Sequence, residues 1–428
     1  MACQRYEPGD VSKTDESSIV ISPAAVHSFL EMVKSNGRRN NFLFVSYLVF
    51  ITGFFFLRSV KTHNNVFYAL ILVPYLFTIP WGMLKLLFRS KIFQSTLILL
   101  AYLMATFLWG ERGASRDYLQ EIIRCLSLLT FFAVTSELAF RHSGFPRFLI
   151  ALICCIAALA PYLLLLNPHF VIPLPPQRLN DLGALRNAVQ IGNVYGMVIL
   201  LIYFSIIQQE KFIRALPSVL LMAAVLPVFL LAQSRGPIVG LYITLLLGGL
   251  FTRDSKLLFM LCCITLLGAI YLSAGHGFLY DMIITRGDSY RIEIFQATMS
   301  LIEKKMFFGH GILKAFSHPL SNGIIIKHPH NLYLATWLHG GLVGLILLIV
   351  FMIRAFWEGL RVFLQEGDFT YVALLLYASI CVFTGLDKVI HQPHPIYMFF
   401  WLPLGLLTAN EMRRHFRDQS MKDQRDTM

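Results

Sequence analysis

Apolar residues along this chain gather in long runs, with polar residues between them. The runs lie near 42–58, 66–88, 93–110, 119–139, 147–166, 188–208, 216–233, 236–251, 256–274, 331–353, 370–386 and 395–410. A helix crossing the hydrocarbon layer takes about 20 apolar residues, so these runs predict about twelve transmembrane helices. Runs seven and eight nearly touch at Ser234-Arg235-Gly236-Pro237, where glycine and proline are expected to break the helix. A polar segment over 1–40 precedes the first run and a basic tail over 411–428 follows the last. No internal repeat or low-complexity linker divides what lies between, so 41–410 reads as one membrane domain. The expected fold class is an all-α polytopic membrane protein.

One polar island, 274–330, interrupts the apolar pattern and predicts a single large soluble loop. Inside it, Ile292, Phe295, Met299, Ile302 and Met306 recur at three- and four-residue steps. That spacing predicts a helix from about 290 to 307 with one buried apolar stripe, and Arg291 lies off the stripe. Asp288 or Ser289 is placed to cap its start, and Gly309 to end it.

Composition agrees with the pattern. The chain has 428 residues, 56% hydrophobic and only 14% charged, with a mean hydropathy of +0.64. A soluble domain carries about a quarter charged residues. The net charge of +12 invites a nucleic-acid partner, but most Lys and Arg sit in short loops and no basic stripe is interleaved with aromatics, which argues against one. The basic loops around Lys85, Arg89, Arg147, Lys211, Arg253 and Arg354, with both termini, define a cytoplasmic side. The island, the 167–187 loop and Arg235 then face outward. Of seven cysteines, six lie in apolar runs and Cys3 in the polar N-terminal segment. They form neither a disulfide framework nor a metal-ligand spacing. No apolar leader core stands near the start, so no cleavable signal is expected.

Candidate chemistry concentrates on the outward face. The island carries Arg286, Arg291, Lys304, Lys305, Lys314 and Lys327 with five histidines, opposed only by Asp281, Asp288, Glu293 and Glu303. Arg235 stands in an apolar context, where an arginine either snorkels or holds an anion through its two-pronged guanidinium. Arg178 and Arg186 come from the 167–187 loop, and Arg286 and Arg291 from the island. Each alone suits a solvated loop charge, but three segments delivering arginine to one face suit a diphosphate. His330 precedes Asn331 at the start of run ten, where a helix N-terminus favours a neutral imidazole able to act as general base. Asn331 is placed to cap that helix or to orient the ring. His328 and His330, with His391 and His394, also permit a metal reading, disfavoured by the absence of a clear carboxylate partner. No phosphate-binding glycine loop, nucleophile elbow or metalloprotease motif is present. The energy for a reaction would then have to come with the substrate, as in a lipid-linked sugar whose leaving group is a diphosphate.

Four segments carry a family resemblance: RLNDLGALRNAVQIGNVYG (178–196), AQSRGP (232–237), RGDSYRIEIFQATMSLIEKKMFFGHGI (286–312) and HPHNLYLATWLHGGLVGL (328–345). In order and spacing they resemble the bacterial O-antigen ligases, within the wider O-antigen ligase and polymerase superfamily. The resemblance implies a GT-C-like glycosyltransferase of the bacterial inner membrane, free of metal and cofactor, with its active site and one large helix-containing loop in the periplasm. It would move O-antigen polysaccharide from undecaprenyl diphosphate to the outer-core sugar of lipid A-core. By motif, Arg178, Arg235 and Arg291 would hold the diphosphate with Arg286 as a helper, His330 would take the acceptor proton, and Arg186, Asn331 and His328 would support them. Ala188 and Phe295 depart from the family pattern, which has proline and more often tryptophan there. An O-antigen polymerase or an O-linked protein oligosaccharyltransferase would share most of these features. A secondary transporter would instead place its charged residues near the bilayer midplane.

Overall fold

The computed structural model describes residues 38–165, 177–204, 216–273 and 290–426, with Gly275 and Tyr280. Arg286 and the expected caps Asp288 and Ser289 lie outside the described residues, as does Cys3.

The described residues are mostly helical. Among the described residues seven helices are long and apolar enough to cross a membrane: Arg39–Phe56, Lys91–Leu108, Ser115–Arg141, Phe145–Tyr162, Arg235–Thr252, Ser255–Ser273 and Leu332–Glu366. An eighth span is available if Val60–Phe77 and Trp81–Leu87, bent by 100° at their junction, count as one. Three of the other runs form the shorter apolar helices Ala188–Ile202, Leu216–Leu231 and Thr370–Gly385. The last forms a π-turn, Tyr397–Trp401, leading into the helix Leu402–Asp426. The helix Ser255–Ser273 exposes Phe259, Leu266, Leu267 and Ile270 along one broad side. A surface that apolar is stable only against lipid.

The loop helix is shorter and turned relative to the sequence expectation. It spans Arg291–Ile302 and gives way to a 3₁₀ turn at Glu303–Lys305. Its buried face is Ile294, Thr298 and Ile302, whereas Ile292 and Phe295 are exposed. Ile294 and Ile302 belong to a small core of their own with Phe316, Leu320, Leu334 and Leu338. Both sides of this helix carry apolar residues, so periodicity alone does not tell which side is packed. Beyond it, a short hairpin pairs His318–Pro319 with Ile325–Ile326. Glu293 accepts from the Ser321 amide (2.9 Å) and hydroxyl (3.2 Å), pinning that hairpin to the helix start.

The span Leu332–Glu366 is broken at Gly341, whose φ of 66° and ψ of −169° fall in a region that only glycine adopts without strain. The break is filled by the island chain. The amides of His310 and Gly311 donate to Leu338 and His339 carbonyls (2.8 and 2.9 Å), and Leu342 donates to Met306 (2.8 Å). The loop thus supplies partners to backbone groups that the interruption would leave unpaired. A Cβ on Gly341 would stand 2.2 Å from the Phe307 carbonyl oxygen. Gly341→Ala is expected to cost about 3 kcal/mol or more, from the strained conformation plus this clash. A purified variant that melts with the wild type would refute that.

Candidate active site

Three polar segments converge where helices begin. The turn before the helix Arg235–Thr252 is held by Gln233 in a left-handed conformation (φ 47°). Arg178 braces it, donating from Nε to the Ala232 carbonyl (3.3 Å) and from Nη2 to the Gln233 carbonyl (2.9 Å). Leu179 N donates to the Leu231 carbonyl (2.9 Å), and Gln233 Nε2 to the Gln177 carbonyl (2.5 Å). Arg235, Gly236 and Pro237 therefore form the first turn of the next helix, rather than a break at the end of the preceding one. A proline in that turn is tolerated because the amide it removes has no intrahelical acceptor.

Gly236 is pressed against Thr384, so closely that a Cβ there would lie 2.1 Å from the threonine hydroxyl. The carbonyl of the same Thr384 accepts from Arg291 Nη2 (3.1 Å). Thr384 thus stands between the segments bearing Arg235 and Arg291. Desolvation, then the charge of Arg235, pushes Arg291 below the ordinary arginine value. Two guanidiniums held this close repel each other unless an anion lies between them.

His330 completes the arrangement. It is half-buried, with φ of 52°, in the left-handed region that histidine tolerates better than bulky residues. Tyr290, directly before Arg291, has φ of 60°. Left-handed non-glycine residues thus mark the start of each of the three segments, a strain that gathers at functional sites. Asn331 caps the helix Leu332–Glu366, its side-chain oxygen accepting from the amides of Tyr333 (2.9 Å) and Leu334 (3.1 Å). Capping is therefore what Asn331 does in this structure. Burial, then the neighbouring charges of His328 and Arg291, holds the His330 imidazole below its ordinary value of 6.5, with Asp387 opposing. Among the described residues neither ring nitrogen of His330 is hydrogen bonded, so both are open to a substrate.

Asp387 is the residue that sequence reasoning missed. Its carboxylate lies 3.0 Å from His391 Nε2 and 3.9 Å from His328 Nδ1. Burial would raise its pKa, but the contact with His391 and the charges of His391 and His328 outweigh it and hold the group well below the usual carboxylate range. The rings of His328 and His330 meet edge to face at 5.2 Å, and those of His391 and His394 stack at 4.8 Å. Burial and His391 push His394 down to about 3, and Gln190 bonds its Nε2 (3.0 Å). The sequence signal was the spacing of Asp387 and His391 in LDKVIHQPH, weak because nothing there indicated a partner. Next in sequence, Lys388 binds the buried Glu121 (3.1 Å) and so anchors this loop to the helix Ser115–Arg141. Among the described residues no group of three or more His, Cys, Asp or Glu side chains is placed to hold a metal ion.

Arg186 stands apart from the cluster. It forms a two-pronged ion pair with Asp181 (2.8 and 2.9 Å) on an exposed surface. Such pairs contribute little. Its backbone amide reaches Gln190 (2.8 Å), which links it to His394 only indirectly.

Residues 219–349 match the model of a family described as O-antigen ligase, a span containing Arg235, Arg291 and His330. A relative from Pseudomonas aeruginosa named O-antigen ligase is 26% identical over 386 residues, covering 87% of this chain and 91% of its own. The relative aligns beyond the family match on both sides, so over most of its described helices this multi-pass membrane protein is similar to a protein named O-antigen ligase.

Proposed function

We propose that this protein is an inverting, metal-independent glycosyltransferase that moves O-antigen polysaccharide from undecaprenyl diphosphate to the outer-core sugar of lipid A-core. The reading adopts about twelve spans in a GT-C-like arrangement, termini in the cytoplasm and the site facing the periplasm. The observation that carries it is the approach of Arg235 and Arg291 on either side of Thr384, next to a histidine whose ring nitrogens make no hydrogen bond among the described residues.

The two guanidiniums would clamp the diphosphate, each offering parallel N–H donors to phosphate oxygens. Arg178, with two donors spent on the 232–233 turn, would act mainly by holding Arg235 in place, and Arg286 would assist. His330 would accept the proton of the acceptor hydroxyl as its oxygen bonds the anomeric carbon from the face opposite the diphosphate. The bond from that carbon to the phosphate oxygen breaks, its electron pair leaving with undecaprenyl diphosphate. The arginines stabilise the negative charge that grows there. Asp387, through His328 and His391, would settle the charge and orientation of the histidines around the base.

A base must be unprotonated, and burial lowers the His330 pKa. The rate is therefore expected to hold through neutrality and to fall only as pH drops below the ordinary 6.5 of histidine. A rate already halved above pH 7 by acidification would contradict this. Excess chelator should leave the rate unchanged, and loss of activity would revive a metal.

The assignment is tested by deleting the gene and separating the host's lipopolysaccharide on a gel, then restoring wild type. Lipid A-core without any O-antigen, with long undecaprenyl-linked chains accumulating, is expected. Core bearing a single repeat unit would mean a polymerase, and an unchanged ladder would discard both.

A further inference from the structure

At the far end of the helices lies a groove that the reaction does not use. It has a volume of about 640 Å³ and opens between the later turns of Leu332–Glu366, the start of Lys91–Ala105, Thr370–Gly385 and Leu402–Asp426. Arg354, on its wall, follows the break at Gly341 by about 20 Å of helix at 1.5 Å per residue. Lys91 begins the membrane-length helix Lys91–Leu108, whose other end meets the island at Thr106, so the groove lies at the end of the spans away from the island, at headgroup depth.

The lining is two-sided in character. Ile353, Phe356 and Trp357 form an apolar wall, with Ile353 61% and Trp357 57% exposed. Lys91, Arg354 and Arg361 stand in the same lining. Two carboxylates are present as well, and both are already matched. Glu358 is bound by Arg414 (2.5 and 2.6 Å), with Arg361 3.9 Å away. Glu411 accepts from the Ser90 hydroxyl (2.7 Å) and the amides of Lys91 (3.0 Å) and Ile92 (3.3 Å), serving as the cap of that helix. The Arg361 guanidinium carbon lies over the Trp357 ring, 5.4 Å from its centroid, a cation–π contact. Among the described residues the side chains of Lys91 and Arg354 form no ion pair, and both are exposed.

We propose that this groove seats one anionic membrane phospholipid, its phosphate held by Lys91, Arg354 and Arg361 and its acyl chain lying along Ile353, Phe356 and Trp357. Two cations without an ion pair among the described residues, and a third shared with Glu358, beside an apolar wall at headgroup depth complement such a lipid better than a soluble ligand. A snorkelling arginine solvated by bulk headgroups would show no preference for one lipid.

The test uses the full-length protein purified in detergent. Native mass spectrometry in an equal mixture of phosphatidylglycerol and phosphatidylethanolamine should show one retained phosphatidylglycerol, preferred by roughly tenfold or more, at about 1 kcal/mol per basic residue. Added phosphatidylglycerol should also raise the melting temperature. Both effects should vanish in Lys91→Gln/Arg354→Gln, which breaks no ion pair and should melt with the wild type when lipid is absent. Arg354→Gln alone should weaken the preference in part, and it provides the readout if the double variant does not fold. Unchanged phosphatidylglycerol retention in the variants, or equal retention of both lipids by the wild type, would overturn the proposal. Millimolar inorganic phosphate reproducing the thermal shift would overturn it too, by revealing a free-anion site.

Discussion

Replacing His330 with alanine is expected to lower glycan transfer by roughly 10²–10⁴-fold, the usual contribution of a general base. The expectation rests on position more than on residue type. His330 stands at a helix start, half-buried beside Arg291 and His328, with neither ring nitrogen bonded among the described residues. Its φ of 52° means that alanine would also carry backbone strain, so the sharper variant is His330→Asn, because asparagine tolerates that conformation. The cap of the following helix comes from Asn331 and survives either change. Insertion and melting temperature should therefore stay near wild type while transfer is lost. A His330→Asn protein that still ligates at near wild-type rate would remove the base from the mechanism and leave only the arginine clamp.

Loss of Arg235 should be comparably severe, about 10²–10³-fold in rate, as for the removal of one donor that stabilises developing charge. Lysine keeps the charge but not the fork, so Arg235→Lys should recover only part of the activity. The neighbouring guanidinium gives a second readout. Arg235 is a cause of the lowered pKa at Arg291, and both groups would serve one leaving diphosphate. Their effects should then be non-additive, the double alanine variant being scarcely slower than the worse single one. Strictly additive losses would mean that the two arginines act on different parts of the substrates. Arg178→Ala should behave differently from both. It removes a brace from the 232–233 carbonyls and should lower thermal stability along with rate.

Much of the polar inventory of the site could be read before any fold was known. Arg235, Arg291 and His330 stand out because charged or titratable residues at the edges of apolar runs need a reason to be there. Their mutual approach was not legible, because Thr384, which joins two of them, is an unremarked threonine in run eleven. Asp387 was hidden for the same reason: an isolated acid acquires meaning only from the histidines that folding brings to it. Arg186 reads like the other arginines in the sequence, yet the structure gives it an ordinary surface partner in Asp181.

The helical, membrane-embedded character of the protein, the positions of its apolar runs, and the gathering of basic and histidine-rich residues between them follow from the linear pattern of residues. Those properties are local, since run length is set by bilayer thickness and by each helix's need to satisfy its own backbone. Tertiary structure alone decided which side of the helix Arg291–Ile302 is packed, that the chain at 306–311 fills a break at Gly341, and that Arg178 braces Arg235. It also decided that Asp387 is the carboxylate among the histidines. These features depend on close packing between segments far apart in the chain, where one glycine hydrogen or one carbonyl settles the fit, and no periodicity along the sequence encodes that.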